Sequence, residues 1–188
     1  MFYNIAEALK QYLSMDLTNK KVLMIIAPEN FRDEEYFHTR ESLEEGGLDV
    51  TVVSTAKIAV SSIEKKQVEV DKLLDDVTSD YDGIVFVGGS GAKVYFNNEK
   101  VLNLAKEFAG DDKIVAAICI APVILAHAGL LQSKKATVWE GAANDIKDLG
   151  AAYTADEVTI DGNIITANGP KASYTFGEAV VKALNWPG

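Results

Sequence analysis

The chain has 188 residues, of which 48% are hydrophobic, and this suits one globular domain with a core of ordinary size. Its 28 acidic and 18 basic residues give a formal net charge of -10, which repels phosphate backbones and anionic lipids, so we expect neither nucleic acid nor membrane as a partner. A single cysteine allows no intrachain disulfide, and the chain does not open with a secretory signal pattern, so we expect a cytoplasmic protein.

Short apolar runs alternate with amphipathic segments along the chain. Apolar residues three and four apart predict a helix near residues 2–14, within an N-terminal helical extension (1–19) that precedes a single domain (20–188). The pattern of that domain predicts strands at 22–28, 48–54, 81–89 and 113–118, and helices at 33–47, 70–77, 98–110, 122–129 and 172–186. The Asp161-Gly162 pair between alternating runs predicts a small hairpin.

This alternation predicts an α/β fold, a three-layer α/β/α sandwich with a mainly parallel, flavodoxin-like sheet. Ligands of such open sheets gather beyond the carboxyl ends of the strands. In this sequence those ends are residues 27–30, 88–91 and 119–121. We therefore look for the functional site in these three segments.

The only cysteine lies in one of them, between two small residues. Ala117 and Ala121 stand two positions before and after Cys119, which is the spacing of a nucleophile elbow between a strand and a helix. Pro122 suits the first turn of that helix, whose free N–H groups favour the reactive thiolate. The alternative is that Cys119 is simply a buried core residue, which single cysteines often are.

Four segments together carry a family resemblance. In this order and spacing, "APENFRDEE", "YDGIVFVGGSG", "IVAAICIAPVILAHAGLL" and "TANGPKASYTF" resemble the PfpI superfamily on the class I glutamine amidotransferase-like fold. That superfamily includes intracellular proteases and parkinsonism-associated deglycases. The resemblance spans residues 20–186 and leaves out only the N-terminal helix.

The resemblance implies roles for particular residues. Cys119 matches the elbow nucleophile and Glu35 the glutamate beside it, while Glu29 and Glu34 remain rivals for that second role. The implied backbone donors of an oxyanion site are the N–H groups of Gly88, Gly89, Ser90 and Ile120. The resemblance also implies a homodimer.

The chain lacks the histidines of its relatives. Protease-like members place a histidine directly after the cysteine, where this chain has Ile120, and deglycase-like members have one where this chain has Trp139. We keep Trp139 as a pocket candidate, with core packing as its alternative. Without either histidine, no side chain next to Cys119 can deliver the proton that amide hydrolysis requires, and this argues against a peptidase.

Two histidines occur elsewhere in the chain. His38 follows Glu35 by three residues, so both lie on one helix face, and we keep His38 as a pocket candidate against a packing or surface role. His127 is eight residues beyond the cysteine, roughly 12 Å along the helix axis, which is too far for a general base.

The sequence predicts neither a metal nor a cofactor. "GGSGAKVYF" completes no nucleotide-binding loop, and one cysteine with two distant histidines cannot build a zinc site. The favoured function is glyoxalase III or deglycase chemistry on a small-molecule carbonyl such as methylglyoxal, using Cys119 and Glu35. The alternatives are a stress protein that senses oxidation at Cys119 and, least supported, a cysteine peptidase or amidase.

Overall fold

A seven-stranded sheet forms the centre of the protein. The structure, a computed structural model, describes residues 20–185, so the predicted N-terminal helix lies outside the described residues. The strands in chain order are β1 (Lys21–Ile25), β2 (Glu29–Phe31), β3 (Asp49–Ser54), β4 (Ile58–Ser61), β5 (Gln67–Glu69), β6 (Lys72–Leu73), β7 (Gly83–Phe86), β8 (Ile114–Ile118), β9 (Lys135–Ala136), β10 (Ala152–Tyr153), β11 (Val158–Asp161) and β12 (Ile164–Ala167). The central sheet has the order β11-β12-β8-β7-β1-β3-β6.

Every neighbouring pair in this sheet is parallel except the hairpin at one edge. Strands β11 and β12 form that antiparallel hairpin, in which Asp161 pairs with Ile164 and Gly162 lies in the turn with a φ of 65°. A glycine suits the turn because it adopts positive φ without steric cost. The predicted hairpin is therefore confirmed.

Helices cover the sheet on both faces. They are α1 (Asp33–Glu45), α2 (Glu99–Gly110), α3 (Pro122–His127), α4 (Ala143–Asp148) and α5 (Ser173–Leu184). Helix α1 packs on α5, and α3 packs on α2 and α4. Strand β7 is buried along its whole length, as a strand between two helix layers must be. The predicted three-layer α/β/α sandwich is confirmed, and no helix within residues 20–185 is long and apolar enough to cross a membrane.

The segment at 70–77 is not the helix that the sequence predicts. It forms β6 and a single 3₁₀ turn at Leu74–Asp76. Asp71 accepts a hydrogen bond from the N–H of Val52 at 2.7 Å and donates its own N–H to the Val52 carbonyl at 2.9 Å, which aligns the following residues with β3. Pairing with the sheet edge thus outweighs the local helical pattern.

Two small sheets were also not predicted. Strands β2, β4 and β5 form one of them, and β9 pairs with β10 in the other. Each of these strands has two to four residues, too short for an alternating pattern to identify. The three-stranded sheet matters for function because the connection between β4 and β5 borders the site described next.

Candidate active site

Cys119 occupies a strained turn directly after β8. Its φ is 62°, in the left-handed region, which costs a residue with a side chain about 1 kcal/mol or more. The Cys119 N–H donates to the carbonyl of Ala167 at 2.9 Å, and its own carbonyl accepts from the N–H of Trp139 at 2.7 Å. Helix α3 begins three residues later with Pro122. This backbone has the form of the predicted nucleophile elbow.

Glu35 reaches the same place from the first turn of α1. Its side chain is fully buried, and neither carboxyl oxygen has a hydrogen-bond partner of good geometry among residues 20–185. The two rival glutamates lie elsewhere: Glu29 is exposed on β2, and Glu34 is bound by the guanidinium of Arg32. Glu35 is therefore the glutamate that the fold brings to Cys119.

The turn after β7 makes this approach possible. A β-carbon on Gly88 would lie 2.5 Å from Oε2 of Glu35 and 2.7 Å from Cβ of Cys119. Gly89 has a φ of 91°, which a residue with a side chain rarely adopts. The sequence-predicted glycine pair thus has one member that leaves room for the Glu35 carboxyl and another that turns the chain past it.

Burial is the largest cause of the pKa shifts of both Cys119 and Glu35. It raises the pKa of Glu35 from 4.5 to about 7. Burial, together with the negative charge of Glu35, raises the pKa of Cys119 to about 12, while the N–H groups of Gly89 and Ile120 oppose that rise. Because two adjacent buried anions repel, the pair carries at most one negative charge at neutral pH. When that charge is on sulfur, Glu35 holds the proton and can donate it.

A pocket of about 440 Å³ opens onto this pair. Its lining includes both members of the pair and the predicted residues Gly89, Ser90, Ile120 and Trp139. The Trp139 side chain is 50% exposed, so it forms part of the pocket mouth and is not core. Ile120 is nearly buried and presents a hydrocarbon wall beside the thiol.

Neither histidine lines this pocket. The His38 ring stacks on Tyr174 at a centroid distance of 4.4 Å, in the contact between α1 and α5. His127 is exposed, and its Nδ1 lies 3.1 Å from Oδ1 of Asn97. The structure therefore places the pocket candidate His38 away from the thiol, because its side chain leaves α1 toward α5.

Asp33 anchors the other wall of the pocket. Its carboxylate accepts hydrogen bonds from the N–H groups of Ile63 at 2.8 Å and Glu64 at 3.1 Å, in the connection between β4 and β5. Burial opposes ionisation of Asp33, but these and other hydrogen bonds outweigh it and lower its pKa. Ile63 itself is 61% exposed and lines the pocket. The first turn of α1 thus supplies both the buried carboxyl and the anchor of a pocket wall.

Sequence reasoning missed several pocket residues. They are Arg32, Ser62, Ile63, Lys93 and Pro170. Arg32 stands within the "APENFRDEE" segment and Lys93 just after "GGSG", so only their nearness to recognised segments pointed to them. Pro170 stands within the "TANGPKASYTF" segment, whereas Ser62 and Ile63 come from a part of the chain outside the recognised segments.

The fold is an α/β sandwich with a cysteine at a strand-to-helix turn, at the carboxyl edge of its parallel sheet, and this places the chain in the class of α/β proteins with a nucleophile-elbow turn. Within that class, the family model described as DJ-1/PfpI matches residues 20–183, and the chain belongs to the DJ-1/PfpI family.

Individual relatives agree with this assignment. A protein of Methanocaldococcus jannaschii is 46% identical over 173 residues, covering 90% of this chain and 84% of its own length. The deglycase PfpI of Pyrococcus furiosus is 32% identical over 165 residues, covering 87% and 99%. The crystal structure of a ThiJ/PfpI domain protein from Brachyspira murdochii superposes with a TM-score of 0.85 at 34% identity, covering 88% of this chain and 96% of the other.

Proposed function

We propose that this protein converts small reactive carbonyls such as methylglyoxal, with Cys119 as the nucleophile and Glu35 as the acid and base. The observation that carries the proposal is the buried Glu35 carboxyl, which has no hydrogen-bond partner of good geometry among residues 20–185 and lies in the wall of the pocket that holds the only cysteine. A buried carboxyl left unpaired costs stability, and one that lines a pocket with a strongly raised pKa is a candidate for acid–base chemistry. The name deglycase of the Pyrococcus furiosus relative supports the same substrate class.

The first step is addition. The Cys119 sulfur attacks the aldehyde carbon of methylglyoxal, and the carbonyl oxygen takes a proton from Glu35 to give a hemithioacetal. The N–H groups of Gly89 and Ile120 lie beside the sulfur and favour the thiolate that attacks. No histidine is needed for this step, which agrees with the hydrocarbon wall at Ile120.

Proton transfer and hydrolysis complete the cycle. The Glu35 carboxylate removes the hydrogen from the former aldehyde carbon and returns a proton to the neighbouring carbon, while the hydroxyl proton of the hemithioacetal passes to the neighbouring carbonyl oxygen; together these shifts give a lactoyl thioester. Water then cleaves the thioester and releases lactate and the free thiol. Methylglyoxal and water are consumed and lactate is formed, with no external oxidant or reductant.

Turnover in an amine-free buffer tests the proposal. Methylglyoxal is added to the native chain and to the Cys119→Ser and Glu35→Gln variants, and lactate is measured. We expect lactate from the native chain and a loss of at least about a hundredfold in each variant, the usual scale for acid–base and nucleophilic groups. If the native chain performs no better than Cys119→Ser, the proposal is wrong.

A second candidate function is redox sensing at the same cysteine. Cys119 is partly exposed, and the Glu35 carboxyl beside it can hold a proton for an oxidised sulfur. Two equivalents of peroxide would convert the thiolate to a sulfinate and release two waters. Intact mass after dilute peroxide tests this, and failure of the folded chain to gain two oxygens at Cys119 excludes it. The distance of both histidines from the pocket leaves a peptidase as the least supported alternative.

A further inference from the structure

We propose that the pocket at Cys119 selects carbonyl compounds that carry an anionic oxygen group, a carboxylate or a phosphate, through Lys93 and Arg32. The carbonyl part of this inference rests on the proposed function. The anionic part rests on the charges that line the pocket.

Those charges contrast with the rest of the chain. The protein has a formal net charge of -10, yet within residues 20–185 the charged residues lining the pocket are two cations, Arg32 and Lys93, and one acid, Glu35. Glu35 lies buried beside the thiol, where its carboxyl and the sulfur together hold at most one negative charge. Because Arg32 is paired with Glu34, the net positive charge of the outer pocket is that of Lys93, which attracts an anion and orients it.

Of the two cations in the pocket lining, Lys93 is the one that has no ion pair within residues 20–185. It is exposed on the 3₁₀ helix Ser90–Tyr95, directly after the glycine turn. An ammonium group at that place is available to a ligand without breaking a contact within this part of the chain.

Arg32 contributes the second positive group. Its Nε and Nη2 donate to Glu34 at 2.6 and 3.0 Å, which holds the guanidinium plane in place. Its Nη1 has no acceptor within residues 20–185 and remains available as a donor. A guanidinium fixed on one side and free on the other is suited to bind a carboxylate or phosphate oxygen.

Hydroxyl groups complete the donor set. Ser62 and Ser90 also line the pocket. Apart from Glu35, the charged and hydroxyl side chains in the lining are able to donate hydrogen bonds. Away from the Cys119 and Glu35 pair, this composition fits an oxyanion.

The single cysteine allows a test that does not require turnover. Iodoacetate and iodoacetamide both form a carbon–sulfur bond at Cys119 and release iodide, but only iodoacetate is an anion. We expect the ratio of their rate constants, iodoacetate over iodoacetamide, to exceed that of N-acetylcysteine amide by about threefold or more. High salt should reduce this excess, because it screens charge.

Variants show whether Lys93 causes the excess in the ratio of rate constants. Lys93→Gln should lower the ratio about threefold, and Lys93→Arg should restore it. Lys106→Gln, which removes another exposed positive charge, from α2, should leave the ratio unchanged. A native ratio at or below that of N-acetylcysteine amide, or an equal fall in Lys106→Gln, overturns the proposal. Inorganic phosphate and acetate are then compared as protectants of Cys119 against iodoacetamide. The stronger protectant identifies the anionic group, and protection by neither also overturns the proposal.

Turnover separates this inference from the proposed function. Methylglyoxal is compared with the phosphate ester of hydroxypyruvaldehyde, and we expect a higher kcat/KM for the ester that falls in Lys93→Gln. If neither carbonyl reacts but the alkylation ratio holds, the anion subsite stands and the carbonyl function fails. If methylglyoxal reacts but the alkylation ratio does not exceed that of N-acetylcysteine amide, the carbonyl function stands and the anion subsite fails.

Discussion

The Glu35 carboxyl lies where a side chain at Gly88 would begin, since a β-carbon on Gly88 would come within 2.5 Å of its Oε2. Replacing Gly88 with alanine would therefore push Glu35 away from the thiol, and the same β-carbon would clash with Cys119. We expect Gly88→Ala to lower the free energy of unfolding by about 1 to 3 kcal/mol and to abolish carbonyl turnover. Denaturant unfolding and lactate formation measure the two effects. Gly110→Ala is the matched control, because a β-carbon there meets nothing within 4 Å, and a stable, active Gly88→Ala protein would contradict this account.

The buried carboxyl should make stability depend on pH. Burial raises the pKa of Glu35 from 4.5 to about 7. Below pH 4.5 the carboxyl is protonated in both states and no penalty arises. As the pH rises to about 7 the unfolded chain ionises first, so the native chain loses stability relative to Glu35→Gln, by about 3 kcal/mol in total. Glu45→Gln, at the exposed end of the same helix, controls for charge, and equal pH dependence in the native chain and Glu35→Gln would refute the prediction.

The thiol should report the first proton that the pair loses. Near pH 7 the Cys119 and Glu35 pair loses one proton, and the thiolate form becomes available. The iodoacetamide rate should therefore rise as the pH passes through about 7 and rise again toward the pKa of about 12 of the thiol itself. Intact mass follows the modification. Glu35→Gln should lack the step near pH 7; the same midpoint in both proteins would show that Glu35 does not share its proton with the thiol.

Asp33 should act as a positioning residue for the pocket wall. Asp33→Ala removes the acceptor for the N–H groups of Ile63 and Glu64, which destabilises the fold by about 1 to 3 kcal/mol and frees the connection between β4 and β5. We expect faster trypsin cleavage after Lys65 and a KM for methylglyoxal that rises more than kcat falls. Asp148→Ala, on the exposed surface of α4, is the matched control. Unchanged cleavage and KM in Asp33→Ala would rule out this role.

Local patterns predicted those parts of the fold whose signal lies within one segment. Helix α1 has acidic residues in its first turn and ends before a glycine pair, and β7 is a continuous apolar run. The strand β6 could not be predicted, because its residues become a strand only through Asp71 and its two hydrogen bonds to β3. Short edge strands depend on partners that a local pattern does not contain.

The candidate site divides in the same way. Small residues around Cys119 and the resemblance to the PfpI superfamily pointed to the thiol, to Glu35 and to the glycine turn. Lys93 and Ile63 enter the pocket from segments that follow different strands, so only the folded chain brings them together. His38 was kept as a candidate on helical spacing alone, and that spacing does not say which neighbouring helix a side chain meets.

The elbow at Cys119 is held from both sides by segments that come later in the chain. The carbonyl of Cys119 accepts from the N–H of Trp139, and its N–H donates to Ala167, twenty and forty-eight residues further on. During synthesis the cysteine therefore leaves the ribosome well before the backbone that sets its conformation. A chain truncated before β12 would contain the thiol without its strained geometry. Reactivity at this one sulfur atom is thus a reporter of completed folding, and a nascent or partly unfolded chain would behave as an ordinary cysteine peptide.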